Sequence, residues 1–398
     1  MLRLFLAMLL FYPQLASSDD LNNKINLYLR DTHYIQSADY ITSIINHYLV
    51  DDVASDSAIM WSDTLRNLGE AKGDLELVAK SDVLTGKYYL RIANDAEALD
   101  YFYRALKYYK SVGNIDGEAD IYIQIGLVYY LQGQFPDALP NIKLATELYQ
   151  KAKNDSSLST SYYLTGLSYL EIKSYKKAEY FLQQSLRLGK LLSNNQREYE
   201  CYVALARLYT SQKNYVAAEQ LLDKVLTKWD SIIDPYGYCM ALIPYSKLLI
   251  ETNKKEAAFI NLTLALSIAD KFNFIRFKVD IYKLLAIIYT DKKNYESANY
   301  YLLQHFQLRD SIYNSENQRA INTLKAKFEA EKKQAQLDSL FQEEKADKLQ
   351  KWLLALTIFM LLGLSFGLYR RYNYKQKSEA ELRIANRELS EALNSLRQ

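Results

Sequence analysis

Glycine and proline are scarce in this 398-residue chain, at 12 and 5 positions. Sandwiches and barrels use many tight hairpins that depend on both residues, so those folds are excluded. Two cysteines cannot build a disulfide framework or a four-thiolate zinc site. The three histidines include His33 and His47, which have no metal-ligand spacing to other donors, and His305 at a helix-packing position. Neither charge sign dominates, with 49 Lys and Arg against 47 Asp and Glu, so there is no electrostatic footprint for nucleic acid. Phosphate loops, the G-x-S-x-G elbow and H-E-x-x-H are all missing. Acidic pairs such as Asp51-Asp52 and Glu343-Glu344 read as solvated faces. No catalytic role, cofactor or metal is expected. Tyrosine, by contrast, is abundant, with 36 positions against 14 for Phe and 3 for Trp. The composition is that of an all-α chain.

Both ends carry apolar runs. Arg3 precedes Leu4 to Tyr12, and small residues follow at Ala16, Ser17 and Ser18. This layout predicts a signal peptide over 1–18. A second run, Trp352 to Tyr369, has 18 residues without a charge. As a helix it would extend roughly 27 Å, close to the hydrocarbon thickness. Aromatic rings stand at both edges, so 352–369 is expected to be a transmembrane helix. The 15 residues after it carry five cations and the 15 before it three. This asymmetry places the C-terminus in the cytoplasm and the bulk of the chain outside it. The expected location is the cell inner membrane, single-pass, with a periplasmic domain.

Between these ends lies a forty-residue period. Ala58, Ala98, Ala138, Ala178, Ala218, Ala258 and Ala298 recur without a slip. Nine residues before each Ala from Ala98 on stands Tyr89, Tyr129, Tyr169, Tyr209, Leu249 or Tyr289. Twelve before is a small residue: Gly86, Gly126, Gly166, Ala206, Ser246 or Ala286. Four after comes Phe102, Ile142, Leu182, Leu222, Leu262 or Leu302. The small residue and the Tyr share one helix face. Each unit is a helical hairpin that cannot bury its apolar face alone, so successive units must stack. The unit around Ala58 has Asn46 and Leu49 at the signature places and reads as a degenerate cap. Most of the tyrosine is then packing. Cys201 and Cys239 fall near the starts of adjacent first helices, where they could pair or remain as buried thiols.

This pattern resembles the tetratricopeptide repeat, most clearly over Ala119 to Ala152, where Tyr122, Ile125, Gly126, Tyr129, Phe135, Ala138 and Ala145 take the signature places. The resemblance implies a superhelical solenoid over 19–313 whose first helices line a concave groove. Carried over position by position, it nominates Tyr130, Tyr163, Leu167, Leu170, Arg207, Lys247 and Lys283 as groove residues. Such a surface, apolar and aromatic in its middle with cations further along, suits a protein or peptide ligand with an acidic end.

Residues 314–351 change character, with many charges and no Gly or Pro, and predict a helical or coiled-coil stalk. Residues 370–398 hold a heptad seam of Leu382, Ala385, Leu389, Ala392 and Leu396, which stops in mid-pattern at Gln398. The two coils would allow a homodimer. Exported array, charged coil, single span and cytoplasmic coil together resemble the input half of bacterial tetratricopeptide-repeat sensor histidine kinases. That resemblance implies a signal-input region whose output domain would lie beyond Gln398. The competing expectation is a membrane-tethered scaffold that passes no signal.

Overall fold

The computed structural model describes residues 41–42, 56–229 and 234–396. The predicted signal peptide and most of the degenerate cap, including His33, Asn46, His47 and Leu49, lie outside them. Apart from short connectors, the described residues are helical, and they contain no strand. The helices are α1 (Asp56–Lys72), α2 (Leu75–Arg91), α3 (Asp95–Ser111), α4 (Ile115–Leu131), α5 (Phe135–Ala152), α6 (Asp155–Glu171) and α7 (Tyr175–Leu191). They continue as α8 (Asn195–Ser211), α9 (Tyr215–Leu226), α10 (Pro235–Glu251), α11 (Lys255–Lys271), α12 (Ile275–Asp291), α13 (Tyr295–Ile312) and α14 (Ser315–Leu396).

One local device repeats every twenty residues. A residue with φ between 50° and 73° sits at Gly73, Ala93, Gly113, Gly133, Lys153, Lys173, Ser193, Lys213, Asn253, Asn273 and Lys293. The next residue sends its N–H back to the carbonyl five positions earlier, as from Asn94 to Tyr89 at 2.9 Å and from Asn214 to Tyr209 at 2.8 Å. That closes the finished helix. The same next residue then caps the new helix with its side chain. Asp74, Asn94, Asn114, Asn154, Asn194, Asn214, Asp234 and Asn294 each accept the N–H three residues on. Stop and start are fused into one turn, and only three of its left-handed positions use glycine. This is how so glycine-poor a chain makes so many reversals.

Between turns, the forty-residue pattern sets the packing. Ala98, Ala138, Ala178, Ala218 and Ala258 are completely buried, as are Phe102, Ile142, Leu182, Leu222 and Leu262. A Cβ on Gly126 would stand 2.6 Å from Ile142, and one on Gly166 would stand 2.7 Å from Leu182. The small residue is therefore the hole that receives the apolar knob of the next helix. Three of the in-phase tyrosines stack on an aromatic ring twelve residues on: Tyr89 on Tyr101, Tyr169 on Phe181 and Tyr289 on Tyr301, with ring planes within 16° of parallel. At the end of the array the code lapses. Leu302 occupies the knob position but is 41% exposed.

The first compact unit runs through Lys325, about a dozen residues past the boundary at 313 drawn from the sequence. Asn314 caps α14 by accepting the N–H of Asn317 at 2.7 Å. Ile321 is fully buried, in phase with the fully buried Ile121, Cys201, Ala241 and Ile281. The start of α14 is thus a further first helix in register. At 333, where the period calls for another reversal, α14 continues. Asp338 and Gln342 take the places of the packing Ala and the apolar knob, so no second helix can fold back.

The second unit, from Ala326 on, is the rest of this one helix. Its segment around 352–369 is long and apolar enough to cross a membrane by length and composition, and Trp352, Phe359, Leu361 and Leu364 are all exposed on it. Leu382 and Leu389 of the heptad seam are exposed as well. The side chains of Ala392 and Leu396 lie outside the described residues.

Replacing Lys213 by Gly removes the cost of a left-handed side-chain-bearing residue and should stabilise the array by about 1 kcal/mol. Asn214→Ala, next door, removes a cap and should cost about 1 kcal/mol. Urea denaturation followed by far-ultraviolet dichroism reads both, and shifts of the same sign would refute the fused-turn account.

Candidate functional site

The first helices of successive units, α4, α6, α8, α10 and α12, lie side by side along one wall of the array. Polar and aromatic side chains from them converge there. Arg207 on α8 forms an ion pair with Glu171 on α6. The Tyr130 hydroxyl on α4 donates to the same carboxylate at 3.4 Å. Nearer the start of α8, Arg197 pairs with Glu200 at 2.5 Å and donates to Thr160 Oγ1 at 2.9 Å. Its guanidinium also lies 4.8 Å from the ring centre of Tyr163, a cation–π contact. The Tyr163 hydroxyl in turn reaches Met240 Sδ on α10 at 3.9 Å.

Electrostatics binds these clusters into one site. Burial pushes the phenols of Tyr130 and Tyr163 above their ordinary range, crowding by surrounding helices does the same to the still exposed Tyr236, and each feels charges from neighbouring helices. Burial also raises the carboxyl of Glu200, and crowding by neighbouring helices raises that of the solvent-facing Asp280. Arg197 opposes the shift at Glu200; Arg207, Lys283 and His305 oppose it at Asp280. Two acids held against their ionised form beside several arginines make a wall tuned by mutual charge.

Of the nominated residues, the structure brings Tyr130, Tyr163 and Arg207 together. Leu167 and Leu170 are buried, and Leu170 packs on Ala178 and Leu208, so both support the wall instead of facing a ligand. The reason is geometric: neighbouring first helices approach closely enough to swallow their shared edge. Lys247 and Lys283 are exposed, and Lys283 lies beside the Asp280 carboxyl. The simple picture of an apolar middle with free cations beyond it is corrected, because Glu171 already engages Arg207. Arg197, Glu200, Tyr236 and Met240 were missed. Arg197 and Tyr236 sit in the first turns of α8 and α10, and Glu200 and Met240 in the second, ahead of the positions the repeat pattern nominates.

The cysteines do not pair. Both are buried and free; Cys201 Sγ donates to Ser185 Oγ at 3.3 Å and Cys239 Sγ to the Ala265 carbonyl at 3.6 Å. His305 Nδ1 lies 2.9 Å from the Val279 carbonyl, in keeping with its packing position. Among the described residues no group of three His, Cys, Asp or Glu side chains could hold a metal ion.

Comparison with known proteins agrees with this geometry. Residues 117–190 and 200–229 match models of the tetratricopeptide repeat. The chain carries tetratricopeptide repeats. It is 24% identical over 244 residues to the regulatory protein RapD of Bacillus subtilis (strain 168), covering 59% of this chain and 67% of RapD. Among solved structures it resembles the Rap conjugation gene regulator of the plasmid pLS20 in complex with a Phr peptide, with a TM-score of 0.52 and 15% identity over 74% of this chain and 90% of that one. It also resembles a Rap protein complexed with competence and sporulation factor, with a TM-score of 0.52 and 14% identity over 78% of this chain and 85% of the other. At such identities the likeness establishes a shared fold, an all-helical tetratricopeptide-repeat solenoid.

Burial raises the Cys201 thiol to about 11 and the Cys239 thiol to about 12. Both should react with a disulfide reagent at pH 8 at least a hundredfold more slowly in the folded chain than in urea. Because the folded values are the higher ones, the folded state holds these protons longer. Stability is complete below the unfolded thiol range near pH 8.5 and falls as pH rises from there through 11 to 12. Thiol titration kinetics and an alkaline melting series check the two halves of this expectation.

Proposed function

We propose that the repeat array is a peptide-binding regulatory module, held in the inner membrane by the apolar segment of α14. The wall formed by its first helices receives a peptide outside the cytoplasm. A change in shape or dimerisation then passes through α14 to the coil beyond residue 370. The observation that carries the reading is the convergence of Tyr130, Tyr163 and Arg207, from three different helices, on one charged and aromatic wall. Further support comes from two fold neighbours captured with peptide or factor ligands, and from a regulatory relative. The membrane part rests on the uncharged stretch 352–369 and the cation excess after it. A tethered scaffold is the second reading. The uninterrupted course of α14 from the array's last cap to its final described turn favours signalling, because a continuous helix transmits displacement along its axis.

Affinity selection of a synthetic random-peptide library on the chain in detergent tests the binding claim. We expect recovery of a defined sequence class, with Arg207→Glu and Tyr163→Ala each weakening the selected peptides tenfold or more. A library from which nothing is enriched over a bare-micelle control refutes it. Alkaline phosphatase fused after Tyr313 should be active and after Gln398 inactive; the opposite pattern refutes the orientation.

A further inference from the structure

Contacts between residues about 180 positions apart join the early and late parts of the array. Asp95, whose side chain is 0% exposed, opens α3 and forms an ion pair with Arg276 in the first turn of α12. The same carboxylate accepts from Gln132, just past α4. Leu131, the neighbour of Gln132, gives its carbonyl to the Tyr313 hydroxyl at 3.1 Å. Tyr313 immediately precedes the cap of α14. Three turns along that helix, Lys325 pairs with Asp137 on α5 and lies 5.8 Å from the Tyr129 ring centre. The apolar part is small: Ala93, Val279 and Ile312, with Ile275 and Leu308 beside them. Arg91 adds a contact over the Phe274 ring at 5.8 Å.

This seam is built differently from the joints between successive helices. Those bury an apolar knob from Phe102 through Leu262, whereas the seam depends chiefly on polar groups. It is also incompletely satisfied. Arg276 Nε and Nη1 are buried without an acceptor, a condition that costs stability in the closed arrangement. The seam is contiguous, too, since each contact shares a residue or an adjoining residue with the next, from Asp95 to Gln132, Leu131, Tyr313 and the first turns of α14.

We infer that the Asp95–Arg276 seam is a releasable latch: the array has a closed and a released arrangement, and release at α3 and α12 loosens the first turns of α14, residues 315–325. The latch thereby couples the curvature of the array to the helix that leaves it. The inference stands whether or not the wall binds a peptide. Coupling of this kind is reciprocal, so disturbance at either end is felt at the other.

Hydrogen–deuterium exchange on the full-length chain in detergent micelles tests it. Asp95→Ala should speed exchange of amides 317–325 at least tenfold, although Asp95 makes no contact with them, and leave 155–225 unchanged. Lys325→Ala, on the exposed side of the seam, should speed exchange at 93–98 and 275–280 by a similar factor. This second variant also serves if Asp95→Ala does not fold. Faster exchange confined to each substituted residue's own contacts, or a uniform increase across the array, overturns the latch.

Discussion

Everything in this array depends on a turn that ends one helix and begins the next within three residues. The left-handed residue reverses the chain, its successor returns an N–H to the helix just finished, and where that successor is Asp or Asn its side chain also caps the helix to come. Because the turn is short and stiff, the helices between turns have nearly one length, seventeen residues in most cases. Equal lengths keep equal phases. A residue forty positions on therefore meets the same environment, and one packing solution serves the whole array. Where a larger side chain replaces glycine at the turn, the strain is carried by the stacking on either side.

From this regularity follows the division of labour between helices. Second helices bury the Ala and, through Leu262, the apolar knob; first helices stand side by side and present their other face along a common wall. Charges on that wall cannot scatter, because each helix contributes at the same height. Arg207 finds Glu171, and Arg197 sits over Tyr163, for this reason. The wall is polar, nearly self-neutralised and held partly away from solvent, which raises its acids and phenols alike. On the proposed reading, a ligand would have to exchange existing partners for new ones, with specificity coming from replacing Glu171 or Glu200 as the partner of an arginine.

The repeat was plain in the sequence because packing in phase leaves a periodic trace: Ala138 and Ile142, Gly126 and Tyr129 are each readable by counting. Tyr130 and Arg207 were placed on the wall by the resemblance to the repeat family, carried over position by position. Leu167 and Leu170 could not be excluded from it, since their burial depends on how closely α6 approaches its neighbours. Arg197, Tyr236 and Met240 lay ahead of the counted positions. The further helix in register, α14 with its Asn314 cap, was masked by the change in composition after Tyr313.

Scarcity of glycine and proline, a forty-residue period and one long uncharged stretch were sufficient to determine an all-helical repeat array followed by a helix suited to a membrane. These are properties of local chemistry: caps, knobs and runs are each complete within a few residues or one period. The seam between Asp95 and Arg276, and the meeting of Tyr313 with Leu131, were decided only by tertiary structure. No periodicity announces them. They arise from the accumulated rotation of stacked units, a small angle repeated until residues about 180 positions apart come into contact.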